Sequence, residues 1–221
     1  VDLGTAGVVD VPGERVIIDP QGRLVTVAHV VRGQWLLEGL ESTYGGAYRW
    51  GGELLGDDLV GQAAGSPPGS RGLVFVPYLA GSGAPDYDPT AQGALLGLTL
   101  SHSRADVARA ILEGINIELA RILEAVEELV PVRRLIASGG ATGSGLVLQM
   151  LADLTGLPVA VAPHTETGLV GAGLLAWVGI GRWPDASQAQ AALPPPPQVI
   201  RPDPGRAATC RALYDRSRKA L

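Results

Sequence analysis

The chain has 221 residues, 46% of them apolar and 18% charged, which is enough apolar material for one large domain or two small ones with a packed core. Its net charge of -5 argues against a nucleic-acid or anionic-membrane surface, since either would want a basic patch. A single cysteine, Cys210, excludes an intrachain disulfide and a CxxC metal site, and the three histidines, His29, His102 and His164, lack metal-ligand spacing.

No apolar run reaches about 18 residues and no leader-like segment is visible, so the cytoplasm is the expected compartment. The opening, VDLGTAGVVDV, begins directly in a strand-like segment without methionine and reads as the trimmed start of something longer. GVVDV, RVIID and LVTVAHVV are three predicted strands, with turns at PGE and PQGR that make them antiparallel. Residues 35–55, WLLEGLESTYGGAYRWGGELL, carry Leu36, Leu40, Tyr44, Ala47 and Trp50 near one face and are predicted as one helix, interrupted by Gly45 and Gly46. LVFVPYL is a buried strand that leads into the loop AGSGAPDYDPTAQG, and GALLGLTL is a further strand. Residues 104–130 form a long helix, with Val107, Ile111, Ile115, Leu119, Ile122, Val126 and Leu129 on one stripe. Strand RRLIAS, helix SGLVLQMLADLTG, strand PVAVAP and helix GLVGAGLLAWVGIG follow in alternation, so these later strands should be parallel. Four prolines at 194–197 read as a stiff linker, and GRAATCRALYDRSRKAL as a closing amphipathic helix. The expected architecture is α/β, a mixed sheet with helices on both faces, as in the ribonuclease H-like, actin-like ATPase domain.

Two glycine sites carry the candidate chemistry. At residues 137–149, ASGGATGSGLVLQ, glycines sit at a strand-to-helix joint. A helix N-terminus offers unpaired N–H groups and a positive dipole end, and glycine lets a ligand come close. The spacing is neither GxGxxG nor GxxxxGK[ST], which removes the Rossmann and P-loop readings. Taken alone, the joint is equally well a packing turn. The second site, LGTAG, puts Gly4 and Thr5 at a hairpin tip, where backbone and hydroxyl can meet a phosphate. An ordinary hairpin explains that pair as well.

Together the segments resemble the C-terminal domain of the FGGY family of carbohydrate kinases over nearly the whole chain and in the family's order. The likeness rests on LGTAG, GQWLLEGLESTYGGAYRW, FVPYLAGSGAPDYDPTAQGALLGLTLSHSRADVARAILEGI, ASGGATGSGLVLQMLADLTGLPV and ETGLVGAGLLAWVGIG. The resemblance implies an ATP-dependent sugar or polyol kinase, with Mg²⁺ as the nucleotide's metal. It places Thr5 at the phosphates, Gly45 and Arg49 along the nucleotide cleft, and Gly140 and Ser144 at the adenosine. It makes residues 1–221 one nucleotide-binding domain, with a linker and last helix from about 184, and leaves room for a homodimer. The sugar pocket, a DxGT phosphate loop and the catalytic base would lie in an N-terminal domain outside this chain, so the chain alone is expected to be inactive. Ala6 replaces the family's second hydroxyl in the hairpin, and the wording of the 80–89 loop leaves the sugar open. No carboxylate here is assigned as base. Asp2 and Asp10 stand too close to the hairpin, and Asp86 and Asp88 read as a solvated turn in preference to a substrate or Mg²⁺ role. The alternative is a nucleotide-binding or partner-docking module without catalysis.

Overall fold

The computed structural model describes residues 1–219. The chain opens with β1 (Asp2–Leu3), turns at residues 4–6, and returns as β2 (Gly7–Gly13). After a loop, β3 (Val25–Ala28) and β4 (Trp35–Glu41) follow. β2 pairs antiparallel with both β1 and β4, and β3 pairs antiparallel with the other edge of β4. The free edge of β1 meets β7 (Leu135–Ala137). There Leu3 N donates to Ser138 O at 2.8 Å and Ser138 N to Val1 O at 3.0 Å, in parallel sense. β8 (Val159–Val161) is parallel to β7, and β9 (Gln198–Ile200) is antiparallel to β8. The order is therefore β3-β4-β2-β1-β7-β8-β9, a mixed sheet with a parallel centre. A separate ribbon pairs β5 (Val74–Val76) with β6 (Ala94–Leu96).

Helix α3 (Arg104–Glu127) supplies the centre of the core. Ser103 starts it with a capping box, its hydroxyl accepting from Asp106 N while the Asp106 carboxylate accepts from Ser103 N. Ile111, Ile115, Leu119, Ile122 and Val126 are each 1% exposed or less, and burial of such a side chain is worth roughly 2 kcal/mol. The helix lies so close to the sheet that a Cβ at Gly39 would overlap Ile122. Arg109 Nε donates to Glu113 Oε1 at 2.8 Å, and Glu113 also accepts from Gly69 N and Ser70 Oγ, fastening the 66–70 loop to α3. On the same side pack α1 (Tyr44–Leu55), α2 (Leu59–Ala64) and α4 (Gly145–Thr155). Helices α5 (Thr167–Gly179) and α6 (Ala186–Ala191) pack on each other at the opposite face, across a groove from Ile136.

Four expectations need correction. Residues 35–55 are not one helix: Trp35–Glu41 is strand β4, and α1 begins at Tyr44. The spacing 36/40/44/47 fits a helix, but β4 has hydrogen-bonded strands on both sides, which outweighs local periodicity. RVIID is not a strand. Val16 and Ile18 are 48% and 72% exposed, and the Asp19 carboxylate accepts from Gln21 N and Arg23 N to close a turn. GALLGLTL keeps only three paired residues and stops at Gly97, whose φ of 81° leaves the strand region. Beyond the prolines the chain returns to the sheet as β9, and α7 (Ala207–Arg218) packs on α3 and α4. Ala220 and Leu221, the last two residues of the expected closing helix, lie outside the described residues.

Strand β4 ends inside the protein on Glu41, which is 3% exposed. Its Oε1 accepts from Thr43 N at 3.0 Å and Thr43 Oγ1 at 2.8 Å, while Oε2 has no partner among the described residues. Burial outweighs those bonds and pushes the carboxyl up to about 7. The folded value thus lies above the unfolded value of 4.5. Stability from the neutral form is fully present below the unfolded value and is lost as pH rises through the folded one. Burial raises Glu118, Asp10 and Glu38 too, and these act with the same sign. Glu41→Gln stays neutral at every pH and is expected to be more stable than the parent at about pH 8, by at most roughly 3 kcal/mol. Thermal melts from about pH 5 to about pH 8 should show a shallower decline in the variant. An unchanged slope would mean that Glu41 titrates as a solvated carboxyl.

Candidate functional site

The β1–β2 hairpin, the start of α1 and the joint between β7 and α4 surround a cleft of about 1030 Å³. Thr5 is exposed at the hairpin tip, and its carbonyl accepts from Gly45 N at 2.8 Å. A Cβ on Gly45 would overlap the Gly4 carbonyl and lie 2.9 Å from Thr5 Cα. Gly45 is thus required by the contact between helix and hairpin, and it sits in the first turn of α1 rather than breaking a helix midway. Arg49, one turn on, is exposed and forms no ion pair among the described residues.

At the joint, the two adjacent glycines have different reasons to be glycine. Gly139 has φ 92°, and a Cβ there would lie 2.6 Å from the Leu3 carbonyl carbon. It is a packing residue against β1. Gly140 opens a 3-10 turn, Gly140–Gly143, and a Cβ there meets nothing within 4 Å. The same is true of Gly143 and Gly145, so this wall is bare backbone facing the cleft. Thr142 Oγ1 donates to Gly139 O at 2.7 Å and holds the turn. Ser144 is the N-cap of α4, its Oγ accepting from Val147 N at 3.3 Å. A hydroxyl has one donor and two acceptor positions, so Ser144 can cap the helix and still donate into the cleft.

Thr5, Gly45, Arg49, Gly140 and Ser144 all line this one cleft. The N-termini of α1 and α4 both open on it, which favours an anion there. Sequence reasoning missed Tyr44, Tyr48, Glu53 and Asp57. The signal for three of them was i, i+4 spacing along α1, from Tyr44 to Tyr48 and from Gly45 to Arg49 to Glu53. Tyr44 is 1% exposed and its hydroxyl has no hydrogen-bond partner among the described residues. Asp86 and Asp88 do not line the cleft. Arg121 Nη2 donates to Asp86 Oδ2 at 2.8 Å, and Asp88 accepts from Thr90 N and Oγ1, so both are held in the loop 80–93. His29 and His164 line the groove beneath α5, and the described residues contain no group of three or more His, Cys, Asp or Glu placed to hold a metal. Nor is any described helix long and apolar enough to cross a membrane.

Residues 1–180 match the model of the C-terminal domain of the FGGY family of carbohydrate kinases. The chain belongs to that family. It is 38% identical over 184 residues to a glycerol kinase of Trichlorobacter lovleyi, covering 80% of the chain and 37% of that kinase. It is 37% identical over 191 residues to a glycerol kinase of Gloeobacter violaceus, covering 82% and 38% respectively. The xylulose kinase of Lactobacillus acidophilus, solved with a bound ligand, superposes with a TM-score of 0.90 at 28% identity, over 99% of this chain and 46% of that one. The glycerol kinase of Plasmodium falciparum, solved with ADP, superposes with a TM-score of 0.82 at 22% identity, over 99% and 46%, and supports the fold alone. The chain thus spans well under half the length of the curated relatives it matches. Its mixed sheet has the ribonuclease H-like, actin-like arrangement of these kinases.

Proposed function

We propose that the cleft binds ATP and ADP, and that the domain is the nucleotide lobe of a kinase transferring the γ-phosphoryl group to a hydroxyl of a sugar or polyol. The observation that carries this reading is the bare wall at Gly140, open to space, in the same cleft as the Thr5 hydroxyl and two helix N-termini. Thr5 and the helix ends would hold phosphate, Arg49 would add positive charge one helical turn away, and Gly140 and Ser144 would meet the nucleoside. Magnesium would enter on the ATP phosphates, with ligands from phosphate oxygens and water.

Phosphoryl transfer is mainly positioning and charge stabilisation, with a base to orient the acceptor hydroxyl. The carboxylates that line the cleft, Glu53 and Asp57, stand beyond the second turn of α1 from Thr5, and so are poorly placed for that base. Base and sugar pocket would come from the portion of the relatives that this chain does not span. Isothermal titration of the chain with ADP tests the reading. Weak but saturable binding is expected, because one half of an interlobe cleft is present. No binding at millimolar protein would overturn it.

A further inference from the structure

Helix α1 grades from positive to negative along the cleft. Its N-terminus, with the helix dipole's positive end, abuts the Thr5 hairpin. Arg49 follows one turn later, and Glu53 a turn after that. At 1.5 Å per residue, Glu53 lies about 12 Å along the axis from Gly45. The last turn carries no basic residue, the helix ends at Leu55, and Asp57 adds a second exposed carboxylate to the same end of the cleft. Arg49 and Glu53 are i, i+4 neighbours yet form no ion pair among the described residues, so both side chains remain available to a ligand. The cleft is also lined by two apolar side chains, Val60 of α2 and Leu146 of α4.

A phosphate chain would be attracted to the first end and repelled from the second. A nucleotide in this cleft would therefore lie with its phosphates at Thr5 and its base toward Glu53 and Asp57. Ionised carboxylates only accept hydrogen bonds. They suit an exocyclic amino group, which donates, and they oppose a ring carbonyl, whose lone pairs face theirs. We infer that Glu53 and Asp57 are specificity-determining residues that select a purine carrying an exocyclic amino group, with Val60 and Leu146 offering apolar contact to the ring. This deepens, and rests on, the nucleotide reading of the cleft.

The experiment compares ADP with IDP, whose hypoxanthine carries a carbonyl where adenine carries its amino group. In the parent chain ADP is expected to bind about tenfold tighter, the scale of one hydrogen bond to a charged acceptor in a partly solvated site. Glu53→Ala combined with Asp57→Ala should bring the ratio close to one, chiefly by weakening ADP. Both side chains are exposed, so the thermal melt should not move. Equal binding of ADP and IDP by the parent would overturn this inference and leave the nucleotide reading standing. A tenfold ratio that survives in the double variant would overturn it as well. If neither nucleotide binds, both readings fall.

Discussion

Sugar-dependent ATP turnover by the 221-residue chain alone is expected to lie below detection. The reason is compositional to the site. A positioned general base contributes about 10²–10⁴-fold, and holding both reactants in near-attack geometry contributes on the order of 10⁵-fold or more. Among the described residues no carboxylate that lines the cleft stands beside Thr5, and Asp2, next to the hairpin, lines no part of it and accepts from Ser138 Oγ at 3.0 Å. Glu53 and Asp57 lie at its far end, Asp86 is tied to Arg121, and Asp88 closes its own turn on Thr90. Glu166 precedes α5 and lines no part of the cleft. On the nucleotide reading, excluding water would also need a second lobe to close over the nucleotide. Joining the chain to the N-terminal portion of a matched kinase should restore turnover. The assay is coupled ADP release with glycerol, erythritol, pentuloses and hexuloses as acceptors. Ordinary kinase rates from the isolated chain would sink the half-site reading and send the search for a base back to Asp86, Asp88 and Glu166.

The second large effect separates two neighbours in the sequence. Gly139→Ala should destabilise the fold by about 2–4 kcal/mol, because the new methyl meets backbone and the residue is held at positive φ. Backbone cannot give way as a long side chain can, so β1 and the β7 end would have to part. Gly140→Val should leave the melt nearly unchanged, since nothing lies within 4 Å of its Cβ position. It should nonetheless lower ADP affinity by about 100-fold or more, because the branched side chain fills space the nucleoside needs. Positive φ belongs to Gly139, so strain plays no part at Gly140. Thermal melts paired with ADP titration distinguish the two. A Gly140→Val protein that binds ADP normally would show that the joint is only a turn.

Much of the site was legible because its signals are local. The glycines of the hairpin and the joint stood out by themselves, whereas Gly45 and Arg49 were placed in the cleft by the family resemblance. What could not be read was which glycine served packing and which left the cleft wall bare. That depends on Leu3 lying against Gly139, a contact spanning over 130 residues of chain. The α3 stripe was legible for the opposite reason: 24 residues of regular spacing leave little choice of period. The misreading of β4 as helix came from leucines that satisfy both periods over a short run. Only the pairing with β2 and β3 decides between them. β9 was missed because three residues after a proline run carry no period at all. The capping box at Ser103 and Asp106 did have a signal, a serine three residues before an acid ahead of an apolar stripe.

Helix α3 gives the cleft a fixed width. β1 is two residues long, and the seam between the hairpin half and the β7–β8 half consists of a few backbone hydrogen bonds. Left to that seam, the walls would part easily. Yet α3 packs at once against β2, β4, α1 and α4, so it acts as a splint across both halves. Spreading the walls would mean pulling its buried leucine and isoleucine side chains out of the core. The domain is therefore one rigid jaw. On the nucleotide reading proposed above, closure on a nucleotide would have to come from a second lobe moving against it.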